Sequence, residues 1–186
     1  LIGHAFSVIP AAKDQWEVMT GDLNSKISAS KIAVMKAAVV KSDSVMQHML
    51  PIHPMAALVL KNIASAFQSN QRSMFDFIKT PKDLDVHAFQ WFIQNTRPDS
   101  DRSLLTVDML WDFFYEKGKD YLTSDIKLIL DTYPQQTNLT EKEKVVLKTI
   151  LIMQAVDQRL GGTIPVLKAT DQNLSYAFEG DWDVYE

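Results

Sequence analysis

Apolar positions in this chain recur every three or four residues, and prolines, Ser/Thr/Asn signals and polar runs cut the pattern into a series of helices. Phe6, Val8 and Ile9 before Pro10 read as a short extended piece, residues 13–19 as a short helix and 19–24 as a turn. From Ser28 the period is helical, with Ile32, Met35, Val39 and Met46 close to one face and Ser28 or Ser30 as N-cap. Leu50-Pro51 ends that helix, because a residue before proline avoids the α region. Pro54 opens the next at a position where a missing amide costs nothing. Its stripe is Met55, Leu58, Val59, Ile63 and Phe67, with alanines between that permit close approach. Ser69-Asn70 breaks it, and a further helix carries Met74, Phe75, Phe77 and Ile78 before Thr80-Pro81 stops it.

In the second half, Asp85 is placed to cap 86–94, with Phe89, Phe92 and Ile93 inward, and 96–103 is the most polar stretch and the clearest loop. Thr106 caps a helix with Met109, Leu110, Phe113 and Phe114, and Ser124 caps another that closes at Tyr133-Pro134. Thr140 and Glu143 form a capping box in front of the strongest helical pattern, 141–160. That pattern is apolar nearly all round, so its middle is expected to be buried on most sides. Gly161-Gly162 is a C-cap signal. Residues 163–167 read as one short strand, and Thr170 or Asp171 caps a last helix through Leu174, Ala177 and Phe178. The expectation is an all-α, multi-helix orthogonal bundle. Its C-terminal part resembles half of a winged helix with one short strand. Subdomains would fall at 1–98 and 104–186, or the chain forms one continuous domain.

Composition narrows the function classes. With 186 residues and 46% hydrophobic content, the chain is long enough for one sizeable core or two small ones. Six glycines and seven prolines are too few for a many-turned β protein. The absence of cysteine excludes disulfides, thiolate zinc sites and cysteine nucleophiles, and fits a reducing, cytoplasmic setting. A formal charge of -4 gives no reason to expect nucleic acid or an anionic membrane as the main partner. Between Leu139 and Glu186 eight acidic residues face five basic ones, which is the wrong sign for a DNA-reading surface. No apolar run is long enough to span a bilayer. The chain begins at Leu1 and not at methionine, as expected either from processing or from excision out of a longer polypeptide.

Catalytic motifs are absent from the sequence. His48 and His53 are five apart across Leu50-Pro51, with no acidic residue between, and read as a helix-terminal and a loop histidine bonded to backbone. No Gly-rich loop leads into Lys-Ser or Lys-Thr, and no serine sits in a G-x-S-x-G turn. The acidic pairs Asp99/Asp101 and Asp181/Asp183 lie in polar sequence and are expected to be solvated. Arg72 stands out. A cation in the first turn of a helix opposes the macrodipole, and Asn70, Gln71, Arg72 and Ser73 are four polar residues between two apolar helices. Either Asn70 caps the helix and Arg72 is an exposed or carboxylate-paired side chain, or Arg72 is presented at the helix start to meet a phosphate or carboxylate from another domain.

Pro51-Ile-His-Pro54, then Asn70-Gln-Arg-Ser-Met-Phe-Asp-Phe-Ile78, Glu143-x-x-x-Leu147-Lys-Thr-Ile-Leu151 and Gly162-x-x-Pro165 resemble the helical region that follows the P-loop ATPase core in large bacterial ATP-binding proteins. Some of those resemble the AAA ATPases of phage-defence systems. The resemblance spans roughly 50–180. It implies a lid or adaptor domain next to a nucleotide held elsewhere, with the phosphate-binding loop outside this chain. ATP would belong to the parent protein, and no cofactor to this chain. Arg72, with Asn70 beside it, would reach the nucleotide phosphate in trans. The partner would be the ATPase core or another protein domain. The competing reading is a self-contained helical regulatory or DNA-associated protein.

Overall fold

The computed structural model describes residues 8–40, 42–63, 74–81 and 85–182. After a 3-10 turn at Pro10–Ala12 come helices α1 (Lys13–Ser25), α2 (Ser28–Ala38), α3 (Asp43–Gln47), α4 (Pro54–Ile63), α5 (Met74–Lys79), α6 (Phe89–Asn95), α7 (Ser124–Leu130), α8 (Glu141–Arg159) and α9 (Asp171–Phe178). Between α6 and α7 the chain makes a 3-10 turn at Val107–Leu110, a π-helical turn at Asp112–Glu116 and a 3-10 turn at Lys119–Tyr121. Among the described residues the only β pairing is one parallel bridge, Ile52 with Leu105. The fold is an all-α bundle.

The centre is α4. Every residue from Pro54 to Leu60 is buried, so this helix is apolar on all sides because it has neighbours on all sides. It touches α2, α5, α8, α9 and the Val107–Leu110 turn. Leu105 fixes its entry: the Leu105 N–H donates to Pro51 O at 2.9 Å, and the His53 N–H donates to Leu105 O at 3.0 Å. One core cluster holds residues from both sides of the 96–103 loop, including Val34, Leu60, Phe77, Phe113, Leu151 and Phe178. Burying this apolar surface supplies the main driving force for the fold.

The strongest sequence signals hold. Pro54 starts α4, and Thr170 caps α9 through the Asn173 N–H. The capping box is formed, with Glu143 N–H donating to Thr140 Oγ1 at 3.3 Å and Thr140 N–H donating to Glu143 Oε2 at 2.7 Å. In the middle of α8, Thr149, Leu151, Ile152, Met153, Ala155 and Val156 are buried, while Leu147 and Ile150 are half-buried against the core.

Several expectations need correction. Residues 19–24 are not a turn; α1 runs through them to Ser25. The helix begun at Ser28 stops at Ala38, because Val39 takes a left-handed conformation (φ 55°) and the Val40 N–H folds back to Met35 O. Ile32 and Val39 are 67% and 79% exposed. Met35 and Met46 do pack in the core as expected, and the rest of the inner face of α2 is Ser30, Ala33, Val34 and Ala37, mostly small residues that let α2 approach α4. The helix after Asp85 begins only at Phe89, and Asp85 pairs with Lys117 at 2.8 Å. The N-cap position expected at Ser124 falls one residue earlier, at Thr123, whose side chain makes no capping hydrogen bond.

The strand expected at 163–167 is not formed. Pro165 opens a 3-10 turn, Pro165–Leu167, whose Val166 and Leu167 drop into the core. With its φ fixed and no amide to offer a neighbour, proline suits the first position of such a turn better than a ladder. The helix expected directly after Thr106 is not a regular α-helix either. The Lys117 N–H reaches back five residues to Asp112 O, and the wider π turn buries the consecutive Phe113, Phe114 and Tyr115. Gly118 follows because a Cβ there would stand 2.5 Å from Phe114 O.

Candidate functional site

Near the end of the polar loop 96–103, Arg102 is held by the turn that follows it and by the C-terminal segment. Its Nη2 donates to Asp108 Oδ1 at 2.8 Å and to Thr106 Oγ1 at 2.7 Å, and its Nε donates to Asp181 Oδ2 at 3.1 Å. Thr106 Oγ1–H donates to Asp108 Oδ1 at 2.6 Å, and the Leu104 N–H donates to Asp181 Oδ1 at 3.4 Å. Thr106 therefore spends its hydroxyl in this network and does not cap a helix backbone. The indole of Trp182 covers the guanidinium, 5.2 Å from Cζ to ring centroid.

Asp181 was expected in solvent and is instead the inner partner of the cluster, its side chain fully buried. Burial raises its pKa to about 6, against the pull of Arg102. Burial works against the Arg102 charge too, but Asp108 and then Asp181 outweigh it and hold its pKa above the ordinary value. Asp99 and Asp101 are exposed, as expected. Asp183 lies outside the described residues.

The same C-terminal segment makes two further contacts. The Glu179 carboxylate accepts the N–H groups of Ala29 and Ser30 at the start of α2, at 3.0 and 2.6 Å. Its backbone carbonyl accepts from His53 Nε2 at 3.2 Å, while His53 Nδ1 accepts the Met55 N–H at 3.2 Å. These two bonds fix His53 as the neutral Nε2–H tautomer. Complete burial lowers its pKa to about 4. Gly180, at φ 75°, lets the chain pass where a Cβ would sit 2.7 Å from Lys26 O. Residues 179–182 thus clasp α2, the start of α4 and the 96–103 loop.

Beside the clasp opens a cleft of about 570 Å³ between α6, the 96–103 loop, the Val107–Leu110 turn and α8. Its apolar wall includes Trp91, Phe92, Met109 and Trp111, and His87 stacks on Trp91 at 3.9 Å. Of the charged groups lining it, Arg102 and Asp108 hold one another, and Asp112 accepts the His87 N–H at 2.6 Å. Lys148 lies over the rings of Tyr133 and Trp111, at 5.1 and 5.9 Å.

Arg72 and Asn70 lie outside the described residues, as does His4. His48 and His53 are backbone-bonded, His48 through Nδ1 to Ser44 O. Among the described residues no group of three or more His, Asp or Glu side chains is placed to hold a metal ion, and no helix is long and apolar enough to cross a membrane. Sequence reasoning missed Arg102, Asp108 and Asp181 as a unit. The one local cue was Trp182, a large aromatic residue set between two aspartates. Comparison with known proteins returns no matching family model, no matching curated protein and no matching solved structure.

Proposed function

We propose that this chain is a helical lid or adaptor domain of a larger bacterial P-loop ATPase, acting in the cytoplasm through contacts with the ATPase core and with other protein domains. The observation that carries the reading is the aromatic cleft beside Arg102. Its apolar wall carries Trp, Phe and Met side chains, types enriched at protein interfaces. The Arg102 and Asp108 charges at its edge are bound to each other, which suits recognition more than proton transfer. The helical segments that resemble the region after an ATPase core add to this support.

On this reading the nucleotide is held by the core and not by this chain, and Arg72, with Asn70 beside it, meets a phosphate across the domain boundary. The test is the ATPase rate of the intact polypeptide carrying Arg72→Ala or Arg72→Lys. Both variants should be slower than the parent, because a point-like ammonium does not replace a bidentate guanidinium. Equal rates in all three remove Arg72 from the reading. Tight binding of ATP by this chain alone, measured by calorimetry, would overturn the assignment of the nucleotide to the core.

A further inference from the structure

A second cleft, of about 760 Å³, lies on the other side of the 96–103 loop, between that loop and α1. Asp14, Val18 and Asp22 recur every four residues and so form one stripe of the helix facing it, with Pro98 and Asp99 opposite. Val18, in the middle of the stripe, is 69% exposed. Asp14, Asp22 and Asp99 take part in none of the ion pairs among the described residues. Lys13, next to Asp14 in sequence, is paired with Glu17 at 3.8 Å. Lys26 also lines the cleft, four residues after Asp22, and makes no ion pair with it. The cleft is an apolar strip with a net negative rim.

Charge and spacing together select the occupant. Phosphate-bearing partners, whether nucleic acid or anionic lipid, would be repelled. A single metal ion is also the wrong size. Asp14 and Asp22 are eight residues apart on one helix, about 12 Å at 1.5 Å per residue, and no metal-holding cluster forms among the described residues. A ligand that answers both carboxylates at once must be extended and carry several cations. It must also bring an apolar group to Val18 between them.

We propose that this cleft docks a basic amphipathic segment of a protein partner, with lysine or arginine side chains at Asp14, Asp22 and Asp99 and an apolar side chain on Val18. The proposal does not depend on the ATPase reading. It concerns a different face of the molecule, and its test involves no nucleotide.

The probe is a fluorescein-labelled amphipathic helical peptide of leucine and lysine, titrated with the chain and followed by fluorescence anisotropy. Binding to the parent chain is expected. The Asp14→Asn/Asp22→Asn/Asp99→Asn variant should weaken it about tenfold, and Val18→Lys should weaken it comparably by removing the apolar contact and adding a like charge. A control variant, Asp85→Asn/Asp120→Asn/Asp171→Asn, removes as much charge at exposed positions outside the cleft and should stay within about twofold of the parent. An equal loss in the control would reduce the effect to net charge and overturn the proposal. Failure of the parent to bind would do the same. So would binding of spermine as tight as that of the peptide, since spermine offers cations with no apolar group for Val18.

Discussion

Ser30 and Glu179 are 149 residues apart in sequence, yet the Ser30 N–H donates to Glu179 Oε2 at 2.6 Å. No side chain next to α2 caps it; Ile27 stands at the N-cap position and offers nothing. The free amides at a helix start need an acceptor, and the dipole there favours an anion. A carboxylate from the far end of the chain meets both needs. Ser28 and Ser30, the local candidates, direct their hydroxyls back to the carbonyls of Ser25 and Ile27.

Replacing Glu179 by alanine should therefore destabilise the fold by about 1–2 kcal/mol, the combined cost of a lost cap and a lost favourable charge. Glu179→Gln keeps one of the two accepting oxygens, sets an NH2 donor against the other amide N–H and removes the charge, so it should recover only a small part of the loss. Urea unfolding of the three proteins measures this. Coincident midpoints for parent and Glu179→Ala would show that the bond carries no stability.

His53 and Asp181 pull the pH dependence of stability in opposite directions. The His53 pKa falls on folding, from 6.5 to about 4. Its contribution is complete above pH 6.5 and is lost as pH drops toward 4, a change of roughly 3 kcal/mol. The Asp181 pKa rises on folding, from 3.8 to about 6. Its contribution is complete below pH 4 and is lost as pH climbs through 6, again roughly 3 kcal/mol. Between pH 4 and 6 the two largely offset each other in the parent. Asp181→Asn should expose the histidine term, so that stability rises with pH across this window more steeply than in the parent. His53→Gln should leave the opposite slope. Parallel slopes for parent and both variants, from urea titrations at pH 4, 5, 6 and 7, would refute the assignment.

In the core, Leu151 is 6% exposed on the inner face of α8. Leu151→Ala should cost about 2–5 kcal/mol, the transfer and cavity terms together. Leu147, half-buried on the same helix, should cost less than about 2 kcal/mol when truncated, because its site opens to water. A thermal melt of each variant separates the two positions, and equal shifts would mean that burial does not rank them.

These residues also show what sequence can and cannot carry. The capping box at Thr140 was legible because both partners lie within one helical turn and their chemistry is reciprocal. The buried α4 was legible in part, from Pro54 and a run of apolar residues. The start of α2 and the inward Met35 and Met46 were legible, but half of its face was not, because beside Val34 it is built from Ser30, Ala33 and Ala37, whose smallness matters more than their hydrophobicity. The larger Ile32 and Val39 drew the pattern to the solvent side. Asp181 looked solvated because hydropathy reports a residue's own polarity and not the presence of a partner 79 positions away. Non-local capping and ion pairing leave no period in a sequence, so the clasp at residues 179–182 could not be read from one chain.

Arg102 gives the sharpest test of that clasp. It sits between Asp108 at 2.8 Å and Asp181 at 3.1 Å, and Asp181 is fully buried. Removing the cation alone, as in Arg102→Leu, leaves two carboxylates facing each other with little water, which should cost about 3–5 kcal/mol. Arg102→Lys keeps the charge, but a single ammonium has no planar fork to bridge Thr106, Asp108 and Asp181 together, so part of the loss should remain. Removing the carboxylates as well should restore stability, because desolvated ion pairs are often matched by well-packed apolar groups. The triple variant Arg102→Met/Asp108→Leu/Asp181→Leu is thus expected to be more stable than Arg102→Leu. Acid adds a second handle. Near pH 5 Asp181 is mostly protonated, which removes one of the two stranded charges, so Arg102→Leu should be less damaging there than at pH 7.5. Urea unfolding at both pH values measures it. A penalty for Arg102→Leu that is the same at both would show that Asp181 is not the carboxylate the guanidinium compensates.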